Sequence, residues 1–166
     1  MDIESVKKEL ASIRGSAMNI LAGREHSATE LRHKLRRKLE RKQVESGEPN
    51  RLDELIDTVI EQLINDRLVD ENRFTESFIR SRTARGSGPV KIRHELQERG
   101  ISGEIIEQYL DDSYEFWQKH IATVRSKRFG IQYPEDYKEQ SKQSRFLYQR
   151  GFSGELIQRL FNEFSE

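Results

Sequence analysis

Apolar residues recur every three or four positions over most of the chain, as at Val6, Leu10, Ile13 and Ala17. This spacing is typical of amphipathic helices, which bury one face and leave the other in water. We find no alternating pattern of the kind that marks a half-buried strand. The pattern therefore predicts about nine helices and no sheet, over residues 6–21, 27–41, 52–68, 70–85, 89–99, 103–112, 114–124, 134–150 and 154–164.

The sequence of one predicted junction between helices occurs twice in the chain. RGISGEIIEQYL begins at residue 99 and RGFSGELIQRLF at residue 150, with six of twelve letters identical at an offset of 51. Gly100 and Gly151 each follow a predicted helix, where glycine can take the left-handed conformation that ends it. Ser102 and Ser153 then suit the N-cap of the next helix. The repeated letters predict a helix-turn-helix joint, and the apolar residue before each serine is placed to pack against the following helix.

An earlier pair of segments also repeats. SATELRHKL from Ser27 and GPVKIRHEL from Gly88 align at an offset of 61. Ser27 with Glu30 forms a capping box, and Gly88 is followed by Pro89 at a first helical position. We infer three degenerate repeats of roughly 50 residues, the first enlarged by the loop QVESGEPNR. The predicted fold is all-α, an elongated array of three tandem three-helix repeats over residues 1–69, 70–112 and 113–166.

Composition favours such an array. Hydrophobic residues make up 34% and charged residues 35% of the 166 positions, which is little core material for a globule but enough for units that each bury one face against a neighbour. There is no cysteine, no apolar run of membrane-spanning length and no signal-like N-terminus. We expect a cytoplasmic, soluble monomer.

Nothing in the sequence points to catalysis. The four histidines, His26, His33, His94 and His120, lack metal-ligand spacing, and no serine has a visible base. We therefore expect no catalytic residue, no metal, no cofactor and no enzymatic activity.

Charge is balanced overall at 29 basic and 29 acidic residues, but it is segregated along the chain. Residues 24–42, 80–99 and 119–128 carry net charges of +5, +4 and +4, whereas residues 48–71 and 104–115 carry −6 and −5. If equivalent helices stack side by side, the basic segments form one stripe and the acidic helices another. The alternative is pairing within the protein, since exposed ion pairs contribute only ~0–1 kcal/mol and are common on helix surfaces.

Two local motifs suggest a nucleic-acid or phosphate site. The turn around Gly100 resembles that of a DNA-reading helix-turn-helix, but the helix after it carries Glu104, Glu107 and Asp111, which phosphate repels. RGSGPVKI, which includes Lys91, places glycines before a helix start and could form an anion pocket there. It lacks the lysine spacing and preceding strand of a nucleotide-binding loop.

Three segments together resemble the RecX family of bacterial regulatory proteins: LAGREHSATELRHKL, LVDENRFTESFIRSRTARGSGPVKIRHELQERGI and FLYQRGF. The resemblance runs from about residue 17 to the C-terminus and is most specific from Leu68 to Ile101. The matching positions are Arg24, Ser27, Glu30, Leu31, Asp70, Arg73, Phe74, Phe78, Arg82, Gly86, Gly88, Pro89, Ile92, Leu96, Gly100 and Ile101.

The resemblance implies a three-repeat helical crescent that modulates RecA, the recombinase that forms filaments on DNA during repair and the SOS response. Family members bind along the groove of the RecA–DNA filament or cap its growth. They inhibit ATP hydrolysis, strand exchange and co-protease activity, and binding to DNA alone has also been attributed to them.

We therefore expect a regulator whose partner is the RecA filament, with DNA as a further expected partner and no membrane partner. The alternative is a stand-alone DNA-binding protein that holds phosphates through its basic helices. The candidate contacts with RecA or DNA are the stripe residues Arg24, Arg32, Arg36, Arg37, Lys38, Arg80, Arg82, Arg85, Lys91, Arg93, Arg125, Lys127 and Arg128.

Overall fold

The computed structural model describes residues 3–41, 49–111 and 113–163, and over these ranges it contains helices and no strands. The helices are α1 (Ile3–Leu21), α2 (Ala28–Glu40), α3 (Pro49–Asn65), α4 (Glu71–Ala84), α5 (Pro89–Glu98), α6 (Gly103–Tyr109), α7 (Tyr114–Phe129), α8 (Tyr137–Gln149) and α9 (Gly154–Asn162). The all-helical prediction is confirmed. Asp112 and residues 43–48 of the predicted loop lie outside the described ranges.

Several helix boundaries differ from the prediction, and three of the differences have a local reason. The helix predicted from residue 134 begins at Tyr137, because the Asp136 carboxylate accepts a hydrogen bond from the Glu139 backbone N–H at 2.8 Å and caps it there. α3 ends at Asn65, and Arg67 follows with a left-handed φ of 57°. α6 ends at Tyr109, because Leu110 is extended.

Both copies of the repeated joint have the predicted geometry. Gly100 and Gly151 have φ values of 76° and 94°. The residue after each glycine donates a backbone hydrogen bond to Leu96 or Leu147, at 3.1 and 3.2 Å. Six-residue closures of this kind satisfy carbonyl groups that a helix end leaves unpaired.

The predicted N-caps are also present. Ser27, Ser102 and Ser153 each accept a backbone N–H three residues ahead through the side-chain oxygen. Gly88 is the N-cap of α5, with proline in the first turn. Each of these helix starts is predictable from a few neighbouring residues, because capping is a local interaction.

The chain divides into two compact units, Met1–Phe74 and Thr75–Glu166, so the division falls within α4. In the first unit α1, α2 and α3 pack on one another. Their shared core consists of Ile13, Ala17, Leu31, Leu35, Leu39, Leu52, Ile56, Val59, Ile60, Leu63 and Val69. Each fully buried leucine or isoleucine contributes about 1.5–3 kcal/mol relative to an exposed one.

In the second unit α7 packs on α8 and α9, and α5 packs on α6. Buried apolar residues there are Ile92, Leu96, Ile101, Ile106, Leu110, Trp117, Ile121, Val124, Leu147, Phe152, Leu156, Ile157, Leu160 and Phe161. The repeat boundaries after residues 69 and 112 stay a prediction.

The start of α5 meets the turn after α8 within the second unit. The N–H groups of Gly88 and Val90 donate to the carbonyl oxygens of Arg150 and Gly151, at 2.8 and 3.0 Å. A Cβ at Gly151 would lie 2.2 Å from the Cβ of Lys91, so glycine is needed for this approach. Backbone carbonyls occupy this helix start, so the N–H groups of Gly88 and Val90 are not available to an anion there.

Candidate functional site

Six of the thirteen predicted contact residues lie beside carboxylates. The pairs are Arg24 with Glu30, Arg32 with Asp57, Arg36 with Glu40 and Asp53, Arg80 with Glu76, Arg82 with Glu95, and Arg93 with Glu107. For these residues the structure shows the alternative considered from the sequence, pairing within the protein. A partner anion would have to compete with the internal carboxylate.

The pairing is tightest between α2 and α3 in the first unit. The Arg32 guanidinium donates to both carboxylate oxygens of Asp57, from Nε at 2.6 Å and from Nη2 at 3.0 Å. This two-pronged contact lowers the pKa of the Asp57 carboxyl and raises that of Arg32. Arg36 lies 3.2 Å from Asp53 on the same pair of helices. The basic face of α2 is therefore partly neutralised by the acidic helix beside it.

Arg82 makes its contacts within the second unit. Its Nε lies 2.7 Å from a carboxylate oxygen of Glu95, and both side chains are largely shielded from water. Its guanidinium also lies 4.8 Å from the ring centroid of Phe78, and Arg99 contacts the same ring at 4.8 Å. Contacts of this kind contribute about 0.5–1 kcal/mol or more where water is excluded.

Arg125 requires a correction, because its side chain is buried, with 1% of its surface exposed. Its Nε donates to Gln143 at 2.9 Å, and its other nitrogens donate to the carbonyl oxygens of Gly130 and Gln132. The guanidinium lies 3.9 Å from the Tyr133 ring centroid. Arg125 fastens the segment between α7 and α8, and it offers no surface to a partner.

The other six predicted contact residues have no carboxylate partner among the described residues. They are Arg37, Lys38, Arg85, Lys91, Lys127 and Arg128. All but Lys38, which is half-buried, are exposed. The continuous stripe through all three repeats stays a prediction, while these six retain the free charge that such a stripe needs.

Three of the unpaired cations share one cleft in the second unit. Arg85 comes directly after α4, and Lys127 and Arg128 stand in the last turn of α7. Together with Arg150 and His120 they line a cleft of about 440 Å³ that contains no carboxylate among its lining residues. Thr83, Ala84, Gly86, Thr123, Val124 and Phe146 complete the lining.

Sequence reasoning missed two residues of this cleft, Arg150 and His120. In the sequence, Arg150 belongs to the repeated RGFSG joint, which predicts only a helix end. His120 has no metal-ligand spacing to the other histidines, so the sequence gives it no role. The available signal was the basic composition around residues 119–128, but it did not indicate that α8 would bring Arg150 to the same place.

No metal site and no membrane span are found within the described part of the chain. None of its His, Asp and Glu side chains form a group of three that could hold a metal ion. None of its helices is both long enough and apolar enough to cross a bilayer.

Comparison with protein families matches two portions of the chain. Residues 70–110 match the family description "RecX, second three-helix domain", and residues 118–161 match "RecX, third three-helix domain". "Regulatory protein RecX" of Halorhodospira halophila is 37% identical over 146 residues, which span 88% of this chain and 84% of that protein. The protein of the same name from Pseudomonas entomophila is 40% identical over 151 residues, spanning 91% and 90%.

Two crystal structures are similar in fold. The structure of RecX from Lactobacillus salivarius superposes with a TM-score of 0.71 at 22% identity, covering 96% of this chain and 98% of that one. A structure of regulatory protein RecX gives a TM-score of 0.72 at 18% identity, with coverage of 95% and 74%. At these identities the likeness shows a shared helical fold.

Proposed function

Because the chain belongs to the RecX family of regulatory proteins, we propose that it binds the RecA–DNA filament and inhibits the ATPase, strand-exchange and co-protease activities of RecA. The regulatory role comes with the family. The curated relatives compared above are named as regulatory proteins and not as enzymes, which fits a protein that acts by binding.

One observation supports the proposed binding: several cations of the basic segments have no internal carboxylate partner within the described residues. In the first unit, Arg37 and Lys38 lie in the last turn of α2. They can bind a phosphate or a carboxylate of a partner without first breaking an ion pair. Arg32 and Arg36 are already in ion pairs and lack this advantage, so we assign the contact in this unit to Arg37 and Lys38.

The test compares two charge reversals in the first unit. Arg37→Glu with Lys38→Glu should weaken inhibition of the DNA-dependent ATPase of RecA by about tenfold, equivalent to about 1.4 kcal/mol. Lys7→Glu with Lys8→Glu is the matched control, because these two lysines are adjacent, exposed and helical in the same unit. The control should inhibit like the wild type.

Wild-type inhibition by both variants, with helical content unchanged by circular dichroism, would remove Arg37 and Lys38 from the contact surface. Equal weakening by both would show that only net charge matters. No inhibition by the wild-type protein at any ratio to RecA would end the proposal itself.

The dependence on protein-to-RecA ratio then distinguishes two modes of action. Inhibition far below one molecule per RecA indicates that the protein blocks growth at filament ends. Inhibition that requires near-equal amounts indicates that it coats the filament along its length, where engagement of several subunits raises avidity.

A stand-alone nucleic-acid binder is the second candidate, favoured by the basic cleft of the second unit. Tight binding to labelled DNA without RecA, with a steep dependence on salt, would support it, because each neutralised phosphate contributes about −0.9 to the log–log slope on duplex DNA.

A further inference from the structure

We propose that the cleft lined by Arg85, Lys127, Arg128 and Arg150 binds a phosphate group of a nucleic-acid strand, without reading its sequence. This inference rests on the nucleic-acid part of the proposed function and is separable from the action on RecA. It gives the second unit a defined contact point in place of a diffuse basic face.

The charge of the cleft is the first argument. Four of its lining side chains are cations and none is a carboxylate. Arg85, Lys127 and Arg128 have no acidic partner elsewhere in the described residues, and all three are exposed at the cleft. Several cations gathered in one cleft raise the local potential for an anion.

The fixed orientation of Arg150 is the second argument. Its Nη1 donates to the carbonyl oxygen of Arg85 at 3.1 Å, and its guanidinium lies 5.2 Å from the ring centroid of Phe146. These contacts hold the side chain in place while most of its N–H donors stay unused, since arginine has five. A planar donor group of this kind suits two oxygens of one phosphate.

A buried hydroxyl in the wall of the cleft is the third argument. Thr83 Oγ1 belongs to a lining residue and has no hydrogen-bond partner in the described structure. An unpaired buried polar group is costly, and a phosphate oxygen settled against this wall would accept a hydrogen bond from the hydroxyl.

The rest of the lining favours a strand over a small anion. A volume of about 440 Å³ admits more than one phosphate group, since pockets for small molecules occupy about 300–1,000 Å³. Val124 and Phe146 offer apolar surface to a sugar. The lining contains no Asn, Gln, Asp or Glu, the usual partners for adenine or cytosine edges, whereas Arg and Lys pair with guanine as well as with phosphate. Because phosphates lie on the outside of a strand and meet exposed cations first, we expect a contact that positions the strand and does not select its bases.

The experiment measures binding of labelled single-stranded and duplex DNA, in two unrelated sequences, by fluorescence anisotropy over a salt series. Lys127→Glu with Arg128→Glu should weaken binding at least tenfold in both sequences and reduce the log–log salt slope by about one to two. The control is Lys138→Glu with Arg145→Glu on α8, which makes the same change in charge at exposed residues of the same unit that do not line the cleft. It should keep the wild-type slope.

A variant that removes one charge without reversing it is a second test in case the double charge reversal disturbs folding. Arg85→Gln removes one exposed cation without reversing charge, leaves the backbone acceptor for Arg150 in place, and should weaken binding severalfold. Wild-type affinity in both cleft variants, or equal loss in the control, would overturn the proposal. A loss confined to one of the two DNA sequences would overturn the claim that bases are not read.

Inorganic phosphate separates the two sources of the anion. It should compete with DNA weakly and shift the amide resonances of Arg85, Gly86 and Thr123 in the full-length protein. Shifts with phosphate but no binding of DNA would identify a free-phosphate site and reject the nucleic-acid assignment.

ATPase inhibition by the same variants answers a different question. Lost DNA binding with intact inhibition of RecA would support the cleft and exclude it from the RecA mechanism. Intact DNA binding with lost inhibition would overturn the cleft as a phosphate site and leave the filament proposal standing.

Discussion

Alanine at Gly151 tests the close backbone approach between the start of α5 and the turn after α8. A Cβ there would lie 2.2 Å from the Cβ of Lys91 and 2.7 Å from its backbone nitrogen. Carbon atoms in contact normally stay about 3.5–4.0 Å apart. Relief of the clash requires α5 to move away from the turn after α8. That movement loosens the hydrogen bonds from Gly88 and Val90 to the turn.

Three alanine substitutions separate the causes of the loss. Gly130 has a φ of 85° and a ψ of −179°, which is a backbone conformation that is essentially restricted to glycine, and it has open space around it. Gly130→Ala should therefore cost only backbone strain, of about 1–3 kcal/mol. Gly88 has an ordinary φ of −89°, but a Cβ would meet the Gly151 carbonyl oxygen at 2.4 Å. Gly88→Ala should therefore cost about 2–4 kcal/mol from overpacking and weakened hydrogen bonds. Gly151→Ala combines both causes and should cost about 3–6 kcal/mol.

Trp117 provides the assay, because it is the only tryptophan of the chain and lies buried in the second unit. Urea unfolding followed by its fluorescence gives the free energy of unfolding of that unit from the midpoint and the slope. The double variant at residues 88 and 151 should cost less than the sum of the single variants, because either substitution alone already opens the same contact.

Equal losses for Gly151→Ala and Gly130→Ala would refute the reasoning. That result would mean that the positive φ of Gly151 accounts for its whole loss of stability. It would also mean that the backbones of α5 and of the turn after α8 do not meet closely. Additive losses in the double variant would likewise show that the two glycines act at separate places.

Two predictions concern the first unit. Arg67 has a φ of 57° after α3, so Arg67→Gly should stabilise this unit by about 1 kcal/mol and raise its thermal midpoint in circular dichroism, whereas Arg67→Ala keeps the strained φ and should give no gain. Burial, together with the charges of Arg24 and Lys34, lowers the pKa of His26. The unfolded chain therefore takes up a proton near pH 6.5 while the folded chain does not, and stability should fall as the pH decreases through that value. His26→Gln should flatten this fall in urea unfolding between about pH 7.5 and 5.5, and an unchanged pH dependence would show that the pKa of His26 is the same in the folded and unfolded states.

Helix starts and stops could be predicted because their causes lie within a few residues. Ser102 and Gly100 each act on backbone groups of their own turn, so the letters alone specify the geometry. The start of α8 was misplaced for a related reason. A proline at residue 134 suits a first helical turn, but Asp136 is the better cap, and its carboxylate sets the first helical residue three positions after the proline.

The sequence does not predict whether each charged side chain is paired, buried or exposed, because that depends on contacts between distant residues. Arg32 and Asp57 are 25 positions apart, and only the packing of α2 on α3 brings them together. Arg125 and Lys127 looked equivalent in a basic segment. One proved to be buried and the other exposed, because they occupy different faces of α7. A net charge counted along the chain cannot separate these cases.

The same long-range dependence kept the cleft hidden from sequence reasoning. Its lining comes from three separate stretches: residues 83–86, 120–128 and 146–150. The RGSG letters did indicate a place where an anion could bind. They suggested the start of α5, whereas the cleft includes Arg85 and Gly86, the residues that end α4.

The distribution of ion pairs explains how a chain of zero net charge can present a surface of one sign. In the second unit, carboxylates such as Glu95 and Glu107 are paired with particular arginines, so their negative charge is offset where it stands. Two exposed unit charges about 10 Å apart in water repel by only ~0.4 kcal/mol, and salt reduces this further. A cluster of four cations therefore costs the folded second unit little while it is exposed to solvent. A phosphate that enters the cleft is attracted by all four cations at once, in surroundings where water is partly displaced and each attraction is stronger. This asymmetry favours a phosphate contact at the cleft over the paired faces of α2 and α5.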